Sequence, residues 1–437
     1  MNGRPASYIA GPGGGISGEI RVPGDKSISH RAVMLGAIAD GITDISGFLA
    51  GEDCLATVGA FEEMGVRVER PAAERLIIHG AGPGGLRAPA AALDLGNSGT
   101  GMRLLAGLLC GQQFDSMLIG DRSLMRRPME RVAAPLRRMG AAIETQRGRP
   151  PIRISGGRSL LGCEHEMEVP SAQVKSAILL AGLYASGRTV IIEPDITRDH
   201  TERMLPAFGV PVERDGATVS VLGPAMPGGA HIEVPGDFSA AAYFIVAGII
   251  AGTAPLMIRG VGVNPSRTGL LEILRLMGAD IRLHGLPERS GEPVADIEVR
   301  PGFLRGIAVP RELVASAIDE FPVLFAAAAV AQGETLVTGA AELRLKESDR
   351  IAVMAEGLNR IGVQAQAMPD GMRVVGGTIG GGVVESRGDH RIAMSFAVLA
   401  SCAGAPIVIR DTHYVATSFP GFVAAARGAG LALVEEC

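Results

Sequence analysis

The chain has 437 residues, of which 47% are hydrophobic and 20% are charged. This composition is typical of a folded protein and excludes a mainly disordered chain. At about 150 residues per domain, the length predicts two or three domains. The net charge of −5, the absence of Trp and the aromatic content of 4% argue against a basic, base-stacking surface, so we expect no nucleic-acid partner.

The cysteines and the hydrophobic segments indicate where the protein resides. The five cysteines are widely spaced and form no C-x-x-C pair, so the sequence predicts neither a disulfide framework nor a zinc site. The start, MNGRPASYIAGPGGG, lacks the apolar stretch of a secretory signal. The uncharged segment 239–258 is long enough to span a membrane, but Gly252 and Pro255 interrupt it. We therefore expect a cytoplasmic protein without a membrane partner.

Taken in chain order, six segments share one plan: an apolar helix, a Gly, a short strand, a polar loop, a second helix, a Gly and a further strand. Glycine tolerates the positive φ of a helix C-cap, which explains its place after each helix. The repeat is too long for a solenoid and fits a β-α-β-α-β-β unit. The glycines after the first helices are Gly41, Gly111, Gly187, Gly252, Gly333 and Gly404, and those after the second helices are Gly65, Gly140, Gly209, Gly278, Gly362 and Gly430.

The two halves of the chain resemble each other. The tetrapeptide VPGD precedes the first unit at residues 22–25 and recurs before the fourth unit at 234–237. The sequence thus predicts a mixed α/β (α+β) fold with two similar domains of three units each. One domain comprises 23–235, and the other comprises 1–22 together with 236–437. Ligands commonly bind between such domains, so we expect the site in the interdomain cleft.

The first helix of every unit is apolar nearly all round, which predicts that it is buried. Its N-terminus nevertheless carries polar residues, for example DKS at 25–27, GNSGT at 96–100 and GDHR at 388–391. Helix N-termini carry partial positive charge and attract anions. N-capping alone explains Ser, Asp and Asn at these places, but it does not explain the Lys26, Arg31, Arg103 and Arg391 that accompany them. The pattern favours an anionic ligand.

Lysine is rare in this chain, since only Lys26, Lys175 and Lys346 stand among 41 basic residues. A lysine retained in such a sequence indicates a place where a compact, proton-exchanging ammonium matters. Basic loops at 120–128, 197–200 and 343–350 supply further charge. Arginine binds carboxylates and phosphates with two parallel bonds, so the set suits small polyanions. Asp319 and Glu347 lie among these charges and are candidates for general acid–base catalysis.

Eight ordered motifs over essentially the whole chain resemble the 5-enolpyruvylshikimate-3-phosphate synthase family. They are PGDKSISHR, LGNSGTGMRLL, GDRSLMRRPM, VPSAQVKSAILLAG, TRDHTERML, VPGDFSAAAYF, LRLKESDR and GDHRIAMSF. The resemblance implies two domains of three units each with buried parallel helices, an arrangement described as an inside-out barrel. It also implies transfer of the enolpyruvyl group of phosphoenolpyruvate to the 5-hydroxyl of shikimate 3-phosphate, with release of phosphate, in chorismate and aromatic amino acid biosynthesis.

The same resemblance assigns the site residues. Asp319 is the implied base for the 5-hydroxyl, and Glu347 or Lys26 protonates the methylene carbon of phosphoenolpyruvate. The implied contacts of shikimate 3-phosphate are Lys26, Ser27, Arg31, Ser171, Ala172 through its backbone, Gln173, Arg198, Asp319 and Lys346. Those of phosphoenolpyruvate are Lys26, Asn97, Gly99, Arg127, Gln173, Arg350 and Arg391. We expect neither a metal nor an organic cofactor. The two substrates are the only expected partners, and the protein is expected to be a monomer.

Some features depart from one large branch of the family. The C-terminal segment reads ATSFP at 416–420 without the lysine of that branch, and the second motif reads SGTGMRLL. Both features resemble the second branch, class II, whereas Gly99 leaves the response to glyphosate open. Two alternatives remain at this stage: an enolpyruvyl transferase acting on a UDP-sugar, and a non-catalytic anion-binding protein on the same scaffold. The first places a reactive cysteine in the loop that here reads GDRSLMRRP, and the second does not require Asp319 and Glu347.

Overall fold

The computed structural model describes residues 6–436, so Cys437 lies outside the described residues. The described chain divides into two compact units. The central unit comprises Gly24–Val234 and Glu288–Glu292. The terminal unit comprises the described parts of Met1–Pro23, Pro235–Pro287 and Pro293–Cys437.

Short strands and short helices alternate along the described residues. The strands are β1 (Ser7–Ala10), β2 (Ile16–Arg21), β3 (Asp40–Ser46), β4 (Arg67–Ala72), β5 (Arg75–Ala81), β6 (Leu93–Asp94), β7 (Ser116–Ile119), β8 (Ala142–Gln146), β9 (Arg149–Ser155), β10 (Glu164–Glu166), β11 (Gly187–Ile192), β12 (Val212–Asp215), β13 (Thr218–Gly223), β14 (His231–Glu233), β15 (Gly252–Gly262), β16 (Ile281–Arg289), β17 (Glu292–Val299), β18 (Glu334–Val337), β19 (Gln364–Met368), β20 (Gly371–Val375), β21 (Gly382–Glu385), β22 (Ile407–Arg410) and β23 (Leu433–Glu436). The α-helices are α1 (Lys26–Ile38), α2 (Glu52–Glu63), α3 (Gly99–Leu109), α4 (Glu130–Arg138), α5 (Ala172–Gly182), α6 (His200–Met204), α7 (Phe238–Ile250), α8 (Gly269–Leu276), α9 (Val314–Ala317), α10 (Phe321–Val330), α11 (Arg350–Arg360), α12 (His390–Leu399) and α13 (Phe422–Gly428).

These strands form six small sheets within residues 6–436. The central unit holds the sheets β14-β3-β5-β4, β6-β7-β9-β8 and β10-β11-β13-β12. The terminal unit holds β18-β20-β19, β21-β22-β1-β23 and, apart from residues 288–292, β16-β17-β15-β2. Each four-stranded sheet contains one parallel pair, such as β6 with β7 or β10 with β11. A parallel pair needs a crossover connection, and α3 and α5 provide it in these two examples.

The crossover helices are the core of each unit. In the central unit α3 packs against both α1 and α5, and in the terminal unit α7, α10 and α12 pack against one another. Every residue of α7 from Phe238 to Ile249 is buried, as expected of a helix without a polar face. None of the helices in the described part of the chain combines the length and the apolar character that crossing a bilayer requires.

The starts of the buried helices are capped by side chains at the predicted positions. Asp25, Ser98, Ser171, Asp237 and Asp389 each accept a hydrogen bond from a backbone N–H two or three residues further on. Helix α10 is the exception: its N-cap is Glu320, without a side-chain cap, and proline occupies its first turn. A carboxylate at this helix start is therefore available for other contacts.

The glycine prediction holds for one of the two sets. All six glycines that follow the second helices have positive φ, between 77° and 103°, as a helix C-cap requires. Of the six that follow the first helices, only Gly41, Gly187 and Gly333 do. A different constraint acts at Gly111, where a Cβ would lie 2.2 Å from the ring of Tyr184. Close packing and a positive φ thus both require glycine, and the sequence alone does not distinguish the two causes.

Candidate active site

Two arginines lie against the start of α3 in the central unit. A Cβ built on Gly99 would lie 2.8 Å from Arg127 Nη1 and 2.9 Å from Arg103 Nη1. Arg127 Nη2 donates to Asn97 Oδ1 at 2.5 Å, and Arg103 Nη1 donates to Gln173 Oε1 at 2.7 Å. Guanidinium groups beside a helix N-terminus favour the binding of a small anion, because charge and hydrogen-bond donors converge there.

The start of α1 places a lysine beside a carboxylate. Lys26 Nζ lies 2.8 Å from Asp53 Oδ2, and the Lys26 side chain is 18% exposed. The imidazole of His30, one turn further on, contacts the hydroxyl groups of Thr57 at 2.8 Å and Ser98 at 3.2 Å. Burial, followed by the positive charge of Lys26, lowers the pKa of His30 to about 3. The ring is therefore neutral, and it links α1 to α2 and α3 without adding charge.

Arg31 is buried in the same unit, and all three of its nitrogens donate to protein atoms. Nε donates to Thr201 Oγ1 at 2.7 Å, Nη1 to the Ser27 carbonyl at 2.8 Å and Nη2 to Ser176 Oγ at 2.7 Å. Burial, with a smaller contribution from the positive charge of Arg198, lowers the pKa of Arg31 to about 10. Arg31 therefore connects α1, α5 and α6. Arg198 lies near enough for its positive charge to lower the pKa of Arg31.

The start of α5 meets the start of α3 through one side chain. Ser171 caps α5, and Ala172 is the first residue of the helix, so its amide is among those without an intrahelical partner. Gln173 accepts from Arg103 at 2.7 Å and donates to Thr100 Oγ1 at 2.8 Å. The structure therefore brings the predicted residues of α3 and α5 together.

In the terminal unit, four cationic groups surround the carboxylate of Asp319. Its Oδ1 lies 3.5 Å from Lys346 Nζ and 3.6 Å from Arg350 Nη1. Its Oδ2 lies 3.5 Å from Arg267 Nη1 and 4.0 Å from Arg391 Nη2. Opposite charges at these distances favour the ionised form of a carboxylate. Asp319 is only 8% exposed, so water screens these interactions little.

Further carboxylates balance these cations. Arg350 Nε donates to Asp389 Oδ2 at 2.8 Å, and Arg350 Nη2 donates to Glu347 Oε2 at 2.6 Å. Burial lowers the pKa of Arg350, but the charges of Asp389, Glu347 and Asp319 outweigh that effect and raise it. Arg391 Nη1 donates to the Asp319 carbonyl at 3.0 Å and lies 3.5 Å from Glu320 Oε1. The side chains of Glu347 and Lys346 are each 20% exposed and can therefore reach a ligand.

The two clusters differ in what they can do. The central unit presents an ammonium group at the start of α1 and guanidinium groups at the start of α3, and Gln173 links the latter to the start of α5. This arrangement suits the binding of phosphate and carboxylate groups. The terminal unit interleaves cations with carboxylates, which suits proton transfer next to negative charge. Every candidate residue from the sequence lies in one of these two units.

The structure adds residues that the site predictions did not contain. The sequence predicts Arg103 only as a charge beside a helix cap, although its position one turn after Gly99 also indicates a place in the site. Asp53 and Asp389 pair with predicted cations, and Glu320 is next to Asp319. Arg267 lies in the loop before α8, is 4% exposed and contacts both Asp319 and Glu320. No motif marks Arg267, and only the fold reveals it.

The fold itself defines the class of protein. The chain superimposes with a TM-score of 0.80 on the enolpyruvyl transferase NikO from Streptomyces tendae, over 99% of both chains at 18% identity. It superimposes with a TM-score of 0.89 on EPSP synthase from Acinetobacter baumannii, at 49% identity over 99% of this chain and 100% of that chain. This is the mixed α/β fold of enolpyruvyl transferases, built from several small sheets.

Sequence comparison identifies the family within this class. The family model for EPSP synthase (3-phosphoshikimate 1-carboxyvinyltransferase) matches residues 11–425. A 3-phosphoshikimate 1-carboxyvinyltransferase from Methylococcus capsulatus is 57% identical over 432 residues, 99% of each chain. One from Alkalilimnicola ehrlichii is 58% identical over 426 residues, 97% of this chain and 96% of the other. The chain belongs to the EPSP synthase family, and the enzyme class predicted from its motifs is confirmed.

Proposed function

We propose that the chain transfers the enolpyruvyl group of phosphoenolpyruvate to the 5-hydroxyl of shikimate 3-phosphate, with the residue roles given below. The observation that carries these roles is the Asp319 cluster, in which one buried carboxylate is held among Lys346, Arg350 and Arg391 at 3.5–4.0 Å. A carboxylate in this setting is ionised and able to accept a proton while the cations stabilise nearby negative charge.

Each substrate is anionic, and each is assigned its own set of mostly charged and polar residues. Shikimate 3-phosphate is bound by Lys26, Ser27, Arg31, Ser171, the Ala172 backbone, Gln173, Arg198, Asp319 and Lys346. Phosphoenolpyruvate is bound by Lys26, Asn97, Gly99, Arg127, Gln173, Arg350 and Arg391. The contact of Arg103 with Gln173 at 2.7 Å and its place above Gly99 support adding Arg103 to the second set.

The reaction is an addition followed by an elimination. Asp319 removes the proton of the 5-hydroxyl, the hydroxyl oxygen bonds to C2 of phosphoenolpyruvate, and C3 gains a proton from Glu347 or Lys26. The resulting tetrahedral adduct carries two phosphates and a carboxylate, so convergent positive charge lowers its energy. The bond between C2 and the phosphate oxygen then breaks, and C3 returns its proton to the group that gave it. The phosphate takes up the proton that Asp319 had removed, and the enol ether and hydrogen phosphate leave. Atoms and charge balance without any further reactant.

A matched pair of variants tests the role of Asp319. Asp319→Asn keeps the shape of the side chain but removes the base, so we expect turnover to fall by at least about a hundredfold. Asp280→Asn makes the same chemical change at an exposed ion pair with Arg282 in the same unit and is expected to keep normal turnover. A folded Asp319→Asn enzyme with a near-normal rate contradicts the assignment.

Several finer expectations from the sequence stay predictions. They are membership of the class II branch, the division into domains at 22/23 and 235/236 with three repeated units in each, a monomeric state and a cytoplasmic location. The segment ATSFP at 416–420 and the motif SGTGMRLL support the class II assignment. Measurement of the mass in solution tests the monomeric state.

A further inference from the structure

Lys175 is a fully buried lysine that the proposed mechanism does not use. It lies on α5 in the central unit, one turn after the cap Ser171, and its side chain is 0% exposed. Its Nζ lies 2.8 Å from Glu193 Oε2, 2.7 Å from Glu202 Oε1 and 3.3 Å from the carbonyl oxygen of Thr197. An ammonium carries three protons, and three acceptors surround it. A buried charge persists only when it is paired in this way.

Glu193 connects Lys175 to a loop. Glu193 is the residue after β11, is 3% exposed, and uses its other oxygen, Oε1, to accept from the backbone N–H of Thr197 at 3.2 Å and from the Thr197 hydroxyl. Thr197 is therefore held through its N–H, its hydroxyl and its carbonyl group. Two of these three bonds end on Glu193 and the third ends on Lys175.

Arg198 follows Thr197 directly, so this arrangement fixes one side of its backbone. On the other side, Asp199 accepts from Arg203 Nε at 2.9 Å and from Arg214 Nη1 at 2.8 Å. Lys175 thus ties the loop that carries Arg198 to the helix whose start carries Ser171, Ala172 and Gln173.

We propose that Lys175 is a positioning residue for shikimate 3-phosphate, because its bond to the Thr197 carbonyl sets Arg198 at a fixed place relative to the start of α5. This inference rests on the proposed role of Arg198 in binding that substrate. A phosphate that is bound by both a guanidinium group and a helix start needs these two at a fixed distance and orientation, because small displacements weaken charge-assisted hydrogen bonds strongly. The scarcity of lysine in this chain agrees with a specific role, because Arg cannot place a single compact charge among three acceptors.

The experiment measures binding of shikimate 3-phosphate by calorimetry and KM for each substrate by phosphate release. Lys175→Met is expected to weaken binding of shikimate 3-phosphate about tenfold or more, the effect of a charge-assisted bond, with KM for phosphoenolpyruvate changed less than about twofold. When Lys175→Met is combined with Arg198→Met, we expect little further loss of affinity for shikimate 3-phosphate beyond that of Arg198→Met alone, because Lys175 acts through Arg198. If Lys175→Met only damages the structure, it weakens the binding of both substrates, and its full effect is added to that of Arg198→Met.

Lys175→Met leaves two buried carboxylates without their cation, so a gentler variant accompanies it. Thr197→Val keeps the shape of a half-buried residue and removes only the hydroxyl donated to Glu193. It is expected to weaken shikimate 3-phosphate binding about threefold to fivefold, the lower range for a lost hydrogen bond. The matched control is Thr145→Val, which removes a hydroxyl donated to Glu130 on the exposed surface of the same unit and is expected to leave binding unchanged.

The outcomes separate the two levels of the proposal. If Arg198→Met weakens binding of shikimate 3-phosphate while Thr197→Val and folded Lys175→Met do not, the positioning role is wrong and the proposed function stands. Full additivity in the Arg198→Met background also overturns it. If Arg198→Met itself leaves binding unchanged, the assignment of Arg198 fails, and the inference fails with it. Absence of two-substrate phosphate release in the unaltered enzyme refutes the proposed function instead.

Discussion

The substitution Gly99→Ala probes how tightly the start of α3 is built. The new Cβ would lie 2.8 Å from Arg127 Nη1 and 2.9 Å from Arg103 Nη1, whereas real contacts of this kind are seldom under 3.4 Å. The two guanidinium groups must therefore retreat by 3.4 − 2.8 = 0.6 Å and 3.4 − 2.9 = 0.5 Å. Neither moves freely, because Arg127 is bonded to Asn97 at 2.5 Å and Arg103 to Gln173 at 2.7 Å.

The size of the effect follows from the bonds that these groups make to a substrate anion. A charge-assisted hydrogen bond contributes about 1.5–3 kcal/mol, and a shift of half an ångström sacrifices a substantial part of it. About 1.4 kcal/mol corresponds to a factor of ten in affinity. We therefore expect Gly99→Ala to raise KM for phosphoenolpyruvate about tenfold, with little change in KM for shikimate 3-phosphate.

The assay is steady-state phosphate release, with each substrate varied while the other is saturating. The control is Gly59→Ala in α2 of the same unit, where an added Cβ meets nothing within 4 Å and Ala favours the helix. It is expected to keep both KM values and an equal or higher melting temperature. An unchanged KM for phosphoenolpyruvate in folded Gly99→Ala, or an equal rise for both substrates, refutes the reasoning.

Three further predictions concern the charged groups. Lys26→Met removes the ammonium beside Asp53, and turnover in the phosphate assay is expected to fall at least about a hundredfold; a rate within tenfold of normal contradicts its role. Glu347→Gln removes a candidate proton donor, and we expect a similar loss of turnover, together with slower incorporation of solvent deuterium into the methylene group; normal exchange assigns the proton to Lys26. Burial and the charges of Lys26 and Arg31 lower the pKa of His30 to about 3, whereas an unfolded His titrates at about 6.5. Because only the unfolded chain gains this proton, the stabilising contribution is full above about pH 6.5 and is lost as the pH falls towards 3, by up to about 1.4 kcal/mol per pH unit. Urea unfolding at several pH values measures this slope, and an identical slope in His30→Gln rules out His30 as its source.

The sequence predicts the local features of this fold well. The apolar helices, the capping residues Asp25, Ser98 and Ser171, and the glycines after the second helices follow from short-range physics, because capping and positive φ depend on neighbours along the chain. The motif LRLKESDR and the family resemblance as a whole place Lys346 and Asp319 in the candidate site, and the structure brings these two side chains to 3.5 Å.

The contacts that the sequence does not predict join distant segments. Arg267 contacts Asp319, which lies 52 residues further along the chain, and nothing in the local sequence NPSRTG predicts a site residue there. Only the scarcity of lysine marks Lys175 in the sequence, and the positioning role proposed for it depends on contacts with Glu193 and Thr197 in a following loop. The sequence predicts a helix cap at Gly111, whereas the structure shows that the ring of Tyr184 leaves no room for a Cβ there. In each case the deciding neighbour is set by tertiary packing, which composition and spacing do not encode.

The most direct test of the central claim uses phosphoenolpyruvate with a heavy-oxygen label in the bridge between C2 and phosphorus. Addition–elimination breaks the bond between C2 and that oxygen, so the label is expected in the released phosphate, and phosphate is expected only when shikimate 3-phosphate is also present. Release of phosphate from phosphoenolpyruvate alone, or recovery of the label in the three-carbon product, would contradict the account.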